Sequence, residues 1–206
     1  MNKYLLSTVA LAALLAFSFA GDKMKDKCSM AGPKPGDMAP AFSLQDQNGA
    51  TVSLNELKGK IVVLEWFNNE CPFVQKFYKG GHMNQWASTY MGKDVVWLAI
   101  NSTSGKTIAD DKAIATEWKI DRPILSDASG EIGKAYGSKN TPTMYIIDKD
   151  GKLAYRGAID SNSDSSTDSI SSSKNYVAQA LNEMLAGKPV SEPMTKAYGC
   201  SVKYGK

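Results

Sequence analysis

The residues with the clearest chemical potential in this sequence are Cys71 and Pro72. They follow an apolar run, residues 61–67, that predicts a buried strand. Proline suits the first position of a helix, because its missing N–H would be unpaired there and its φ is already helical. Cys71 is therefore expected at a helix N-terminus, where free N–H groups and the helix dipole favour the thiolate. The alternative is a buried, inert cysteine. The segment directly before it, residues 68–70, is charged and rich in amide side chains, which favours the reactive interpretation.

Length, composition and charge limit the classes of function. The chain has 206 residues, of which 43% are hydrophobic and 22% are charged, and this composition suits one domain with a sizeable core. The formal net charge is only +3, and the basic residues form no block. Binding to DNA or RNA is therefore not expected.

The N-terminus has the pattern of an export signal. Lys3 supplies a positive charge, and residues 5–19 are apolar. Ser18 and Ala20 have small side chains at the two positions that a signal peptidase recognises. The apolar run is short for a bilayer span. We expect residues 1–20 to be a signal peptide and the mature chain to be exported, periplasmic or secreted, with no stable membrane insertion after cleavage.

Hydrophobic patterning predicts the elements that position the candidate thiol. Residues 61–67, 95–100 and 144–147 are apolar at nearly every position, as in strands that are covered on both faces. Amphipathic segments between them predict helices, and Asp150 with Gly151 predicts a hairpin. Strands that alternate with helices and end in a hairpin indicate an α/β sheet with helices on both faces.

Changes in composition divide the chain into segments. After the signal peptide, residues 21–36 are rich in Lys, Asp, Gly and Pro and predict a flexible lead-in. Residues 37–190 form the predicted domain, and residues 191–206 form a tail that contains a cysteine. Within the domain, residues 160–173 are almost entirely Ser, Asp, Asn and Thr, which predicts a solvated loop.

Several stretches together have a familiar pattern. A proline before a core strand, as in Thr141-Pro142-Thr143, marks an edge or a bend. The other informative stretches are residues 39–44, 69–74, 136–137, 155–157, 185–190 and 199–203. In these stretches the sequence resembles the thioredoxin-fold superfamily, and within it the peroxiredoxin-like redoxins of AhpC/TSA type that keep one active-site cysteine in a Cys-Pro-x-Val motif. The resemblance covers nearly the whole mature chain and implies a thioredoxin-like α/β fold, with a central mixed sheet flanked by helices on both faces.

The resemblance implies roles for particular residues. Cys71 matches the nucleophilic cysteine. Pro142 matches a proline that is cis in this fold, which brings Thr141 beside the thiol, with its backbone available to a substrate chain. Glu65 matches a buried acid that helps to move protons. Val74 occupies the position of the usual second cysteine, so a resolving thiol must come from elsewhere.

The chain departs from the peroxiredoxin pattern at two positions. That family places proline and then threonine or serine ahead of its reactive cysteine, whereas this chain has Leu64 and Asn68 there. The departure argues against fast peroxidase activity. Arg122 or Arg156 could stabilise a thiolate, although each is more often a surface residue.

Cys200 is the candidate resolving thiol. A flexible tail can bring it to Cys71, where it would form a disulfide or condense with a sulfenic acid. The alternative is a structural disulfide between Cys28 and Cys200 that ties the two termini together. With three cysteines, either pairing leaves one thiol over, and we favour the pairing of Cys71 with Cys200.

The predicted function is that of an exported thiol-disulfide oxidoreductase or peroxiredoxin-like antioxidant with Cys71 as its nucleophile. Trp66 and Pro72 are expected to line the substrate site together with Thr141 and Pro142. The expected partners are a protein disulfide or a peroxide as substrate and an external thiol as electron donor.

No cofactor or metal is expected, because His82 is the only histidine and no ligand set accompanies it. The alternative function is that of a redox-inactive thioredoxin-fold module that binds an exported partner. The motivation for it is Val74, which replaces the second cysteine.

Overall fold

The computed structural model describes residues 31–205. The predicted signal peptide lies outside this range, as do Cys28 and most of the predicted lead-in. Along the described part of the chain, no helix combines the length and apolarity needed to cross a bilayer.

The described chain forms nine strands, five α-helices and two short 3-10 helices. The strands are β1 (Ser43–Gln45), β2 (Thr51–Ser53), β3 (Ile61–Trp66), β4 (Val95–Asn101), β5 (Ile124–Ser126), β6 (Asn140–Thr141), β7 (Thr143–Ile147), β8 (Leu153–Gly157) and β9 (Cys200–Ser201). The α-helices are α1 (Pro72–Lys79), α2 (His82–Tyr90), α3 (Ile108–Glu117), α4 (Glu131–Ala135) and α5 (Tyr176–Leu185). The 3-10 helices are Leu54–Leu57 and Thr167–Ser169.

Five strands form the central sheet in the order β5-β4-β3-β7-β8. β3 lies parallel to β4, and β4 lies parallel to β5. β7 runs antiparallel to β3, and β8 returns antiparallel to β7 through the predicted hairpin. The sheet is therefore mixed, with the fully buried β3 at its centre.

The side chains of β3 alternate between the two faces of the sheet. Ile61 and Val63 join a core cluster with residues of α1, α2 and α5. Leu64 and Trp66 join a second cluster with α4 and with β1 and β2, which pair antiparallel. By the same alternation, Glu65 belongs to the α1 face. Helices on both faces of a mixed sheet confirm the predicted α/β class.

The structure adds to one expectation about a polar segment and corrects another. Most of the predicted solvated loop is exposed, as expected, and within it only Asp160 and Ile170 are buried against the domain. The C-terminal tail is not flexible as expected, since β9 pairs with β6 and Val202 is buried. The tail therefore belongs to the folded unit.

Candidate active site

The thiol of Cys71 lies at the junction of β3 and α1. Cys71 is the N-cap residue of α1, and the exposed Pro72 is the first residue of the helix. The Cys71 N–H donates to Asn68 O at 3.1 Å, and Cys71 O accepts from the N–H groups of Val74 and Gln75. Main-chain bonds of one short segment thus fix the thiol.

The surroundings of Cys71 favour its ionisation. Only 1% of the residue is exposed, and its thiol donates to Thr141 O at 3.0 Å. Burial raises the pKa of Cys71. Hydrogen bonds to the thiolate from the Thr141 hydroxyl, the Cys200 thiol and N–H, and the Val74 N–H outweigh burial, so the pKa is lowered from its ordinary value. The thiolate is therefore more populated at neutral pH than in an ordinary cysteine.

Thr141 and Pro142 form the wall opposite Cys71. Both residues are buried, and the peptide bond between them is cis. The buried Thr141 hydroxyl makes no other hydrogen bond within residues 31–205. It is therefore available to a Cys71 thiolate.

Cys200 reaches the same site from the C-terminus. β9 runs antiparallel to β6, with Cys200 opposite Thr141 and Ser201 opposite Asn140. Cys200 is partly exposed, and both it and Cys71 are free thiols. Burial, with the hydrogen bond and charge of Cys71, raises the pKa of Cys200 to about 11. The site thus contains one thiol prone to ionise and one that stays protonated.

Tyrosines on both sides of β9 hold this strand in place. The Tyr198 hydroxyl donates to the buried carboxylate of Asp160, which pairs with the buried Lys76 amine at 3.2 Å. Beyond the strand, the Tyr204 hydroxyl donates to Ser138 O at 2.7 Å. The position of the second thiol therefore depends on contacts with distant parts of the chain.

Sequence reasoning missed Lys76, Asp160 and Tyr198. A lysine on an amphipathic helix and an aspartate in a polar stretch are usually solvated, so neither suggested a buried pair. The apolar residues Ala158 and Ile159 directly before the aspartate were the available signal, because they predict a chain that still faces the core.

Glu65 is fully buried beneath α1 and belongs to a polar cluster. The Arg122 guanidinium lies 3.3 Å from its carboxylate, and the Tyr78 hydroxyl donates to it at 3.0 Å. Burial raises the pKa of Glu65, and the charge of Arg122 opposes that rise. The expectation of a surface Arg122 is wrong, because only 1% of this residue is exposed and its charge compensates Glu65.

Two further candidates lie apart from the thiol. Trp66 is fully buried on the opposite face of the sheet, where its indole N–H donates to the Ser102 hydroxyl at 3.0 Å. Arg156 donates to the carbonyl oxygens of Ala31 and Pro33, both at 2.8 Å. The structure therefore brings neither of them to Cys71.

The described residues offer no cluster of three or more His, Cys, Asp or Glu side chains that could hold a metal ion. The imidazole of His82 lies beside the Trp86 ring, with ring centres 5.9 Å apart.

Comparison with known proteins adds a family and a fold. A model of the AhpC/TSA family matches residues 35–156. The thiol-disulfide oxidoreductase ResA of Bacillus thuringiensis is 32% identical over 118 residues, which are 57% of this chain and 66% of that protein, just under two thirds of its length.

Two solved structures extend the comparison. An uncharacterized conserved protein from Geobacillus kaustophilus is 31% identical and aligns over 83% of this chain and 92% of its own, with a TM-score of 0.71. The thioredoxin domain of a thiol-disulfide oxidoreductase from Bacteroides vulgatus, 20% identical, aligns over 67% of this chain and 96% of its own, with a TM-score of 0.53. The predicted thioredoxin-like fold is thus confirmed. Because the family model matches more than half of the 206 residues, the chain belongs to the AhpC/TSA family.

Proposed function

We propose that this protein is a thiol-disulfide oxidoreductase whose working dithiol consists of Cys71 and Cys200. The observation that carries the proposal is the pairing of β9 with β6, which sets Cys200 opposite Thr141, the residue whose carbonyl oxygen accepts from the Cys71 thiol. The lowered pKa of Cys71 supports its role as nucleophile. Similarity to a relative named as a thiol-disulfide oxidoreductase agrees with this chemistry.

In the first step, the Cys71 thiolate attacks one sulfur of a substrate disulfide. A new S–S bond forms at Cys71, the substrate S–S bond breaks, and the second substrate sulfur leaves as a thiolate. With a peroxide, the thiolate attacks one oxygen and the O–O bond breaks. Cys71 becomes a sulfenic acid, while the other oxygen takes up a proton and leaves as water or an alcohol.

In the second step, Cys200 resolves the intermediate. Its sulfur loses a proton and attacks Cys71 Sγ, and the proton goes to the departing substrate thiolate or hydroxide. The pairing of β9 with β6 supports this step, because it sets Cys200 opposite Thr141, whose carbonyl oxygen bonds the Cys71 thiol. The product is a disulfide between Cys71 and Cys200.

An external thiol closes the cycle by attack on Cys200. This sulfur belongs to the partly exposed residue, whereas Cys71 is buried. Cys71 then leaves as a thiolate, and a thiol of lower pKa leaves faster. A second donor thiol releases Cys200, so the donor supplies two electrons and becomes a disulfide. The cycle assigns no step to Glu65.

We further infer that the protein works after export. The support is the N-terminal pattern of Lys3 followed by an apolar run and Ala20. N-terminal sequencing of the protein from its source should begin near Gly21, and a chain that retains Met1 contradicts this inference.

Peptide mapping tests the dithiol. The mature protein is oxidised with hydrogen peroxide or 2-hydroxyethyl disulfide, alkylated and digested, and the expected product is a peptide pair joined through Cys71 and Cys200. Cys71→Ser should abolish this pair, and the matched variant Cys28→Ser should retain it. A disulfide between Cys28 and Cys200, or Cys71 left fully alkylatable after oxidation, contradicts the proposal.

A further inference from the structure

β6 is the edge of the candidate site with which an extended chain could pair. Of its two residues, Asn140 and Thr141, the second accepts a hydrogen bond from the Cys71 thiol, and free strand edges bind extended peptides through main-chain hydrogen bonds. In this protein β9 takes that edge, with Cys200 opposite Thr141. The chain therefore fills this position with its own tail.

Main-chain bonds hold the tail from two sides. The Val202 N–H donates to Lys139 O at 3.0 Å beside β6. From the loop after β4, the Ser104 N–H donates to Lys203 O at 2.8 Å. The tail is thus a strand between two neighbours and not an open end.

Gly199 permits the close approach of the tail to β6. Its φ is +122°, and a Cβ atom at this position would lie 2.1 Å from Thr141 O. Any side chain here must push β9 away from the wall of the site. The glycine therefore gives a way to displace the tail without changing either thiol.

We propose that residues 199–203 occupy the position in which a substrate chain would pair with Thr141, and that they restrict reaction at Cys71 to small-molecule oxidants. The inference rests on the proposed role of Cys71 as nucleophile. The chemistry is unchanged: a small disulfide loses one thiolate to form a mixed disulfide with Cys71, and Cys200 then displaces the second.

Burial of the thiol explains the selectivity. Only 1% of Cys71 is exposed, so a protein disulfide must first separate β9 from β6 and break the contacts of Tyr198 and Tyr204. A small disulfide needs only a local opening beside the partly exposed Cys200. Both substrates present a disulfide bond to Cys71, but only the protein substrate brings a polypeptide that needs room beside β6.

Rates with two disulfides test this inference. Reduced full-length protein is mixed with insulin or with 2-hydroxyethyl disulfide, and the loss of free thiols is followed. Wild type should react faster with the small disulfide, and Gly199→Ala should raise the ratio of the insulin rate to the small-disulfide rate about tenfold. The matched control is Gly187→Ala, because Gly187 also has a positive φ, +69°, but has nothing within 4 Å of an added Cβ. Its ratio should equal that of wild type.

Hydrogen exchange of the Val202 amide measures whether the tail stays paired beside β6, and it requires no reaction at Cys71. The amide should be protected in wild type and should exchange faster in Gly199→Ala. Val202→Asp serves as a second displacing variant if Gly199→Ala does not fold, since it introduces a charge at a buried position.

The outcomes separate the two proposals. Wild type that reacts with insulin and the small disulfide at similar rates, a ratio unchanged by both displacing variants, or an unprotected Val202 amide overturns the specificity inference alone. Wild type inert to both disulfides overturns the proposed function, and the inference with it.

Discussion

The two thiols of the candidate site are held by different kinds of contact. Cys71 is fixed by its own segment, between the end of β3 and the first turn of α1. Cys200 is fixed by β6 and by Tyr198, whose hydroxyl reaches the buried pair of Asp160 and Lys76. The position of Cys71 therefore depends on local sequence, and that of Cys200 depends on contacts between distant residues.

The two thiols also differ in how readily they ionise. The pKa of Cys71 is lowered by hydrogen-bond donors around its sulfur, despite burial. That of Cys200 is raised to about 11 by burial and by the neighbouring Cys71. Because two adjacent thiolates repel, the site favours one ionised thiol and one protonated thiol.

The largest expected effect comes from breaking the polar cluster under the Cys71 segment. Arg122→Met leaves the buried Glu65 carboxylate without its countercharge, so the free energy of unfolding should fall by about 3–5 kcal/mol. Urea denaturation at neutral pH measures this loss.

The matched control for that variant is Lys149→Met. Lys149 pairs with Asp94 at 3.2 Å, almost the distance of the buried pair, but both side chains are more than half exposed. Its loss should cost about 1 kcal/mol or less. Equal costs for the two variants would show that burial of Arg122 and Glu65 is not what stabilises this region.

A smaller effect is expected when the tail loses one contact. Tyr198→Phe removes the hydroxyl that donates to Asp160 and should cost about 1.5 kcal/mol, since hydrogen bonds to charged groups are worth more than neutral ones. Urea denaturation measures the cost, and exchange of the Val202 amide should quicken. In the control Tyr176→Phe, the hydroxyl removed makes no hydrogen bond within residues 31–205, so stability and exchange should stay as in wild type. Unchanged stability in Tyr198→Phe would show that the hydrogen bond to Asp160 does not stabilise the tail.

Sequence patterns predicted the local half of the site and the fold that carries it. The apolar run of β3 and the order of Cys71 and Pro72 predict a strand and a helix start, because both signals act over a few residues. Resemblance to a family supplied the cis bond before Pro142. These features can be predicted without knowing which distant segments come into contact.

The other half could not be predicted from local patterns. The tail has no hydrophobic period, and its Cys200 pairs with Thr141, which lies 59 positions earlier in the sequence. Lys76 and Asp160 form their buried pair only once the 160–173 stretch folds back over α1. Trp66 was expected at the substrate site, but the strand alternation directs it to the opposite face.

The coupling between the thiols predicts a change in Cys200 when its neighbour is removed. In Cys71→Ser no thiolate lies beside Cys200, so its pKa should fall from about 11 toward the ordinary 9.0. Burial remains and keeps the fall incomplete. The pH dependence of Cys200 alkylation, measured with Cys28→Ser in the background, gives the midpoint, and a midpoint that stays near 11 contradicts the coupling.

The reciprocal change, in the pKa of Cys71, is expected to be the smallest of these effects. Cys200→Ala removes the thiol that donates to the Cys71 thiolate but keeps the backbone N–H. Losing a donor destabilises the thiolate relative to the thiol, so the pKa of Cys71 should rise and the thiolate fraction at neutral pH should fall. The rise should be partial, because the Thr141 hydroxyl and the Val74 N–H remain. Ultraviolet absorbance of the thiolate across a pH titration reports this without depending on access to the buried sulfur. Cys28→Ala is the control and should leave the Cys71 midpoint in place. If Cys200→Ala lowers or does not move that midpoint, Cys200 does not help to set the ionisation of Cys71, and the Thr141 hydroxyl and the Val74 N–H account for its lowered pKa.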